Sequence, residues 1–172
     1  VFNGVESFKD KKLLKEMKNT KRKKRLFASS KFIRSEFETD KESILTFYNN
    51  NGYRDARILS DSSWRTENGE LMLALNIEEG SQYYFRNISW KGNSLYEADV
   101  LSDVLGIKKG DVYNQELLQT RLSFSQDGRD VSTLYMDDGY LFFSVDPIEV
   151  AITEDSINLD LRMFEGPQAT ID

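Results

Sequence analysis

The residue types that most often carry chemistry are missing from this chain, whose 172 residues include no His and no Cys. Ser-His-Asp and Cys-His nucleophile pairs, and every thiolate or imidazole metal site, are thereby excluded. What is left is carboxylate, Tyr or Lys chemistry, or an oxygen-ligated metal. Two acidic clusters, Glu78-Glu79-Gly80 and Asp137-Asp138-Gly139, are the places to look. Neighbours on a strand point to opposite faces, so Glu78 and Glu79 make a poor acid/base dyad, and Asp137-Asp138 reads as a helix end and turn. No stretch has the spacing of a Ca²⁺ loop. The expectation is a chain without enzymatic activity, metal or cofactor.

Binding chemistry has more candidates. Lys21, Arg22, Lys23, Lys24 and Arg25, with Lys18 shortly before them, form a basic run. Such a run suits nucleic acid, an acidic lipid headgroup or an acidic protein, and equally a solvated helix end whose dipole favours cations. No aromatic interrupts it, and the two halves of the chain differ in sign: +3 over residues 1–80 and −9 over 81–172. Nucleic acid is therefore not an expected partner. The aromatics Tyr53, Trp64, Tyr83, Tyr84, Phe85, Trp90, Phe142 and Phe143 read mainly as core. Phe142 and Phe143 are adjacent in a predicted strand, so one ring must face outward.

Self-similarity organises these residues. Tyr48-Asn49-Asn50-Asn51-Gly52-Tyr53 returns 87 positions later as Tyr135-Met136-Asp137-Asp138-Gly139-Tyr140. Leu71, Leu73, Leu75, Ile77 and Glu79-Gly80 return 86 later as Ile157, Leu159, Leu161, Met163 and Glu165-Gly166. Phe2-Asn3-Gly4 returns 88 later as Trp90-Lys91-Gly92. Three landmarks in one order at nearly one spacing mark two copies of a unit large enough to fold alone. The expected divisions are residues 1–80, with the first strand already under way at Val1, then 81–168, joined by a short hinge. Residues 169–172 read as the opening of a further copy, because Glu165-Gly166-Pro167-Gln168 follows the pattern of Glu79-Gly80-Ser81-Gln82. With no initiator Met, signal peptide or long apolar run, the chain reads as a soluble piece of something longer.

Each copy has the same predicted order. Tyr84, Ile88 and Trp90 alternate with Phe85, Asn87 and Ser89, giving a half-buried strand that stops at Gly92. A short helix follows, capped by Asp10 with Leu13, Leu14 and Met17 on one face, or carrying Ala98, Leu101, Val104 and Leu105 up to Gly106. The second helix of copy one is expected to start at the capping box Thr39-Asp40-Lys41-Glu42, to bury Ile44, Leu45, Phe47 and Tyr48, and to stop at Gly52. Its counterpart runs from Asn114 to Gly139, interrupted around Gln126-Asp127-Gly128. Both copies close on a hairpin: Ala56–Arg65 with Leu71–Glu78 across Asn68-Gly69, and Leu141–Ile152 with Ile157–Phe164. The fold class is α+β, two tandem β-α-α-β-β modules, each a three-stranded sheet covered on one face by two helices.

The hairpins also supply the candidate binding site. Pro147 lacks the N–H that a doubly paired strand needs, so Leu141–Ile152 must be an edge. An open edge can take up an extended peptide, and Pro147 can equally blunt that edge against aggregation. Copy one has no such Pro, so Ala56, Arg57, Ile58, Leu59, Ser60 and Asp61 are the better candidates, followed by Phe142, Phe143, Ser144 and Val145 of copy two.

Taken in order, the strands closing on Glu-Gly and on Gly92-Asn93, the stretch Gly110-Asp111-Val112-Tyr113-Asn114 and the paired Tyr-x-x-x-Gly-Tyr resemble POTRA domains over nearly the whole chain. Lys31-Phe32-Ile33 with Phe47 to Ala56 is similar, more narrowly, to the periplasmic region of the BamA family of outer-membrane β-barrel assembly factors, the two copies looking most like its third and fourth repeats. The resemblance implies a place on the periplasmic side of a Gram-negative outer membrane and a longer chain continuing into a C-terminal membrane barrel. It further implies strand-addition contact with unfolded barrel proteins and docking of accessory lipoproteins. Secretion transporters and TamA-like assembly modules share the pattern. Gly4-Val5 departs from the usual Gly-Asn, and the basic stretch and the insertion at 123–130 enlarge the helical side.

Overall fold

The computed structural model describes residues 1–20 and 32–169, and the basic run Lys21–Arg25 lies outside them. The chain divides into two compact units, Val1–Ser81 and Gln82–Asp172. The first contains β1 (Phe2–Asn3), α1 (Asp10–Glu16), α2 (Arg34–Asn50), β2 (Arg57–Arg65) and β3 (Leu71–Glu78). The second contains β4 (Tyr84–Lys91), α3 (Ala98–Leu105), α4 (Gln115–Leu122), α5 (Val131–Asp137), β5 (Ser144–Thr153) and β6 (Ser156–Phe164). Each sheet places the last strand in the middle: β1-β3-β2 and β4-β6-β5. The first strand pairs parallel to it and the hairpin partner antiparallel. The α+β class and the three-stranded sheets are as the periodicities predict.

The cores follow from the apolar stripes. In the first unit, Leu13, Phe37, Ile44 and Tyr48 of the helices close over Leu75 and Ile77 of β3. In the second, Leu101, Leu105, Leu118, Leu122, Val131 and Tyr135 close over Phe85, Ile157, Leu159 and Leu161. Gly4 and Gly92 end the first strands with φ of +78° and +88°. A Cβ on Gly92 would lie 2.5 Å from the Met163 carbonyl oxygen, and one on Gly4 would collide likewise with that of Ile77, so both positions require glycine.

Several local expectations are corrected. Helix α2 starts at Arg34, one and a half turns before the predicted capping box, because Phe37 already joins the Ile44 and Tyr48 stripe. Asp40 is therefore inside the helix, fully buried. Asp10 is the first helical residue after Lys9 and makes no cap bond as N-cap, so it acts only through the dipole; Leu14 is 49% exposed, off the buried face of Leu13. In β4 it is Phe85, not Tyr84, that enters the core, since the register shifts between Phe85 and Ile88 and resets the alternation. The predicted strand from Leu141 begins only at Ser144, leaving Leu141 and Phe142 in a turn. The long second helix of copy two is two helices, α4 and α5, parted by the loop that Gln126-Asp127-Gly128 predicts.

Candidate functional site

Strands β2 and β5 lie at sheet edges, each hydrogen-bonded on one side only among the described residues, to β3 and β6. Their side chains meet different surroundings. Arg57 Nε donates to Glu78 at 2.5 Å, and Ile58 turns into the core opposite Ile77. Leu59 is the extra residue of a β-bulge and is 60% exposed, while Ala56 lies just before the strand. Ser60 accepts from Asn76 Nδ2, and Asp61 turns under α2 to accept from Lys41 Nζ at 2.8 Å and from Arg34. The hydrogen bond from Lys41 outweighs the effect of burial and, with a smaller contribution from Arg34, holds the Asp61 carboxyl below its usual range. Beyond the bulge the ladder runs without interruption from Ser60 to Arg65.

The second predicted group divides. Phe143 is buried and stacks on Tyr135 with ring centroids 4.1 Å apart, whereas Phe142 is 69% exposed. One ring does face outward, though from a turn rather than by strand alternation. Ser144 opens β5 opposite Phe164, Val145 is buried, and Pro147 stands opposite Leu161 within the edge strand. Of the other predicted core aromatics, Trp64 is 45% exposed.

Of the two acidic clusters, Glu79 is structural and is matched in the second module by Glu165, while Asp138 accepts from Tyr96 Oη. Glu79 accepts from Tyr48 Oη at 2.7 Å, from Ser7 Oγ at 2.8 Å and from the backbone N–H groups of Glu6 and Ser7 at 3.1 and 3.0 Å. Glu165 accepts from Tyr135 Oη at 2.9 Å, from Ser94 and Leu95 N–H at 2.7 and 3.0 Å, and from Ser94 Oγ. In both units a carboxylate thus buckles the end of the central strand to the loop after the first strand and to the tyrosine at the end of a helix. Burial opposes ionisation of Glu165, but the donors from Leu95, Ser94 and Tyr135 outweigh it and bring its pKa down to about 2. Glu79 is lowered by the same balance, its strongest donor being Tyr48. Burial and the facing carboxylates push both tyrosine hydroxyls far up. Two further buried carboxylates are also held by hydrogen bonds, in different ways: Asp40, inside α2, accepts from Asn19 and Thr20, and Asp130, the N-cap of α5, accepts from Ser125 and Thr133 N–H. Reading the clusters for chemistry missed these roles; Glu-Gly, Ser7/Ser94 and Tyr-x-x-x-Gly-Tyr, recurring at offsets of 86 to 87, were the available signal.

Among the described residues no group of three or more Asp or Glu could hold a metal ion, and no helix is long and apolar enough to cross a membrane. The POTRA family model, described as surface antigen variable number repeat, matches residues 1–80 and again residues 83–166. This chain belongs to the POTRA family. It is 29% identical over 131 residues to the outer membrane protein assembly factor BamA of Neisseria meningitidis serogroup B, covering 73% of this chain. A candidate outer membrane protein assembly factor of Treponema pallidum is 24% identical over 144 residues, covering 81%. The chain spans 16% of the length of each of these relatives. Among solved structures, POTRA3-5 of Haemophilus influenzae BamA superposes with a TM-score of 0.59 at 20% identity, covering 98% of this chain and 65% of that one. The two modules are POTRA domains, with the fold of POTRA domains in solved BamA structures.

Proposed function

We propose that this POTRA pair is a non-catalytic binding module of an outer membrane assembly factor. Its open β2 edge takes up extended segments of unfolded β-barrel proteins by strand addition. The observation that supports this reading is the uninterrupted, proline-free stretch Ser60–Arg65, paired among the described residues to β3 alone. Unpaired backbone donors and acceptors along such an edge are a template for a further strand. The β5 edge is the weaker site, since Pro147 removes one donor from it. No nucleophile, metal or cofactor enters this reading, because the composition lacks His and Cys and the best-held carboxylates, Glu79 and Glu165, are consumed by structural hydrogen bonds. In the longer protein the modules would stand on the periplasmic side of the outer membrane ahead of a membrane barrel, and would carry accessory lipoproteins on their remaining surfaces. Ordering a flexible peptide costs entropy, so single-peptide affinity is weak.

The test is an NMR titration of the isotopically labelled chain with a peptide copied from an outer-membrane barrel strand, against a scrambled peptide of equal charge. Saturable amide shifts at Ser60–Arg65 with the strand peptide alone are the expected result. Equal response to both peptides, or none, leaves the edge without a client and makes the modules spacers.

A further inference from the structure

The loop between α4 and α5 holds an aromatic ring out of the second module at a conformational cost. Phe124 has φ of +63°, a left-handed backbone that L side chains avoid, and it is 77% exposed. Both of its neighbours are tied down. Ser123 Oγ lies 3.3 Å from Ser132 Oγ, which donates to the Leu122 carbonyl, and Ser125 N–H donates at 2.9 Å to the buried Asp130 carboxylate. Ser125 Oγ donates further to Asp127, and Gly128 N–H to the Ser125 carbonyl. The backbone that carries the ring is therefore set in advance of any contact. A module of this architecture does not need the loop, because the first module spans the same interval with the unbroken helix α2.

Beside the ring lies its geometric counterpart. A cleft of about 540 Å³ opens between α3, α5 and this same loop, with the half-buried Val104 and Leu134 in its lining. Arg121 of α4, Arg129 of the loop, Asp103 of α3 and Asp137 of α5 line it as well. Among the described residues none of these four side chains forms an ion pair, and Arg121 Nη1 reaches only the Arg129 carbonyl, at 3.5 Å. The remaining loop carboxylates, Asp127 and Asp130, are taken up by Ser125, Arg129 N–H and Thr133. Charge and shape are thus divided along α5. Arg129 and the projecting ring stand before its start and Asp137 at its end, on the order of 10 Å away, with Leu134 between them. Such a face is its own complement under a two-fold rotation through Leu134: turned end for end, it lays Arg129 over Asp137 and a ring over a cleft, and makes both contacts twice. A lipid surface or a nucleic acid would answer only one of the two signs.

We propose that this face binds a second copy of the chain, each Phe124 entering the partner's cleft and each Arg129 pairing with the partner's Asp137 about an axis at Leu134. A contact centred on one seven-residue helix falls short of the ~800 Å² per partner of a standard interface, so the dimer is weak, with a Kd of order 100 μM. Sedimentation equilibrium of the two-module chain, from about 10 μM to about 1 mM, reads it directly. The parent should pass from monomer to dimer and stop there, since a two-fold contact closes on itself. Phe124→Gly is the decisive variant. Glycine adopts the positive φ without strain, so the urea midpoint should hold or rise while association weakens about tenfold or more. Arg129→Asp should weaken it similarly, and adding Asp137→Arg should restore it to within about threefold, a recovery that independent losses of packing do not give. A chain monomeric at about 1 mM, or growth beyond the dimer, would overturn the proposal. So would Phe124→Gly associating like the parent, as pairing through the open β2 edge predicts, or a charge exchange that restores nothing.

Discussion

At the scale of single residues, the carboxylate buckles give the sharpest expectations. Glu165 titrates near 2 in the folded protein against 4.5 ordinarily, so its contribution is fully present above about pH 4.5 and disappears as the pH falls toward 2. Glu79 is displaced the same way. Acid titration followed by circular dichroism should show stability falling through this window, and Glu165→Gln should flatten the second module's share of that fall while costing about 2 kcal/mol at neutral pH. Gly92 is a steric requirement instead. With φ at +88° and a carbonyl oxygen 2.5 Å from any Cβ, Gly92→Ala should cost about 3 kcal/mol or more, read from urea unfolding of the second module.

At the scale of elements, Asp130 decides whether α5 starts where it does. It satisfies Thr133 N–H at the helix start and Ser125 N–H in the preceding loop, so Asp130→Ala should destabilise the second module by about 2 kcal/mol. Thr133→Ala, which keeps the carboxylate's two backbone partners, should cost less. The hairpin at Asn68-Gly69, the helix stop at Gly106 and the Asn114 cap are local signals, and each appears as the residue type demands. Asp40 misled because its hydrogen bonds go to Asn19 and Thr20, twenty residues away, where no local capping rule can see them. Tyr84 and Phe85 exchanged places because a bulge shifts the phase of β4 after pairing with β6, and pairing is a tertiary fact. The candidate edges were legible from Pro147 and from hairpin order, but the bulge at Leu59 was not, and it moves the usable stretch of β2 toward Arg65.

At the scale of the whole molecule, the two modules have cores that share no residue. Removing the fully buried Leu13 side chain should cost about 3 kcal/mol in the first module and leave the second unchanged, which calorimetry would show as one displaced transition and one retained. Repetition made the architecture readable, because each landmark in one copy could be checked against the other. In the second module, β4 and β6 lie side by side and parallel over Tyr84–Lys91. The chain enters through the start of β4 and leaves through the end of β6, so a pull on the two ends drags these neighbours past each other lengthwise. Their hydrogen bonds then bear the load together instead of opening one at a time, and resistance to such a pull is set by the unfolding barrier rather than by equilibrium stability. The strand order that leaves β5 open at the edge thus also makes the module a tension-bearing link.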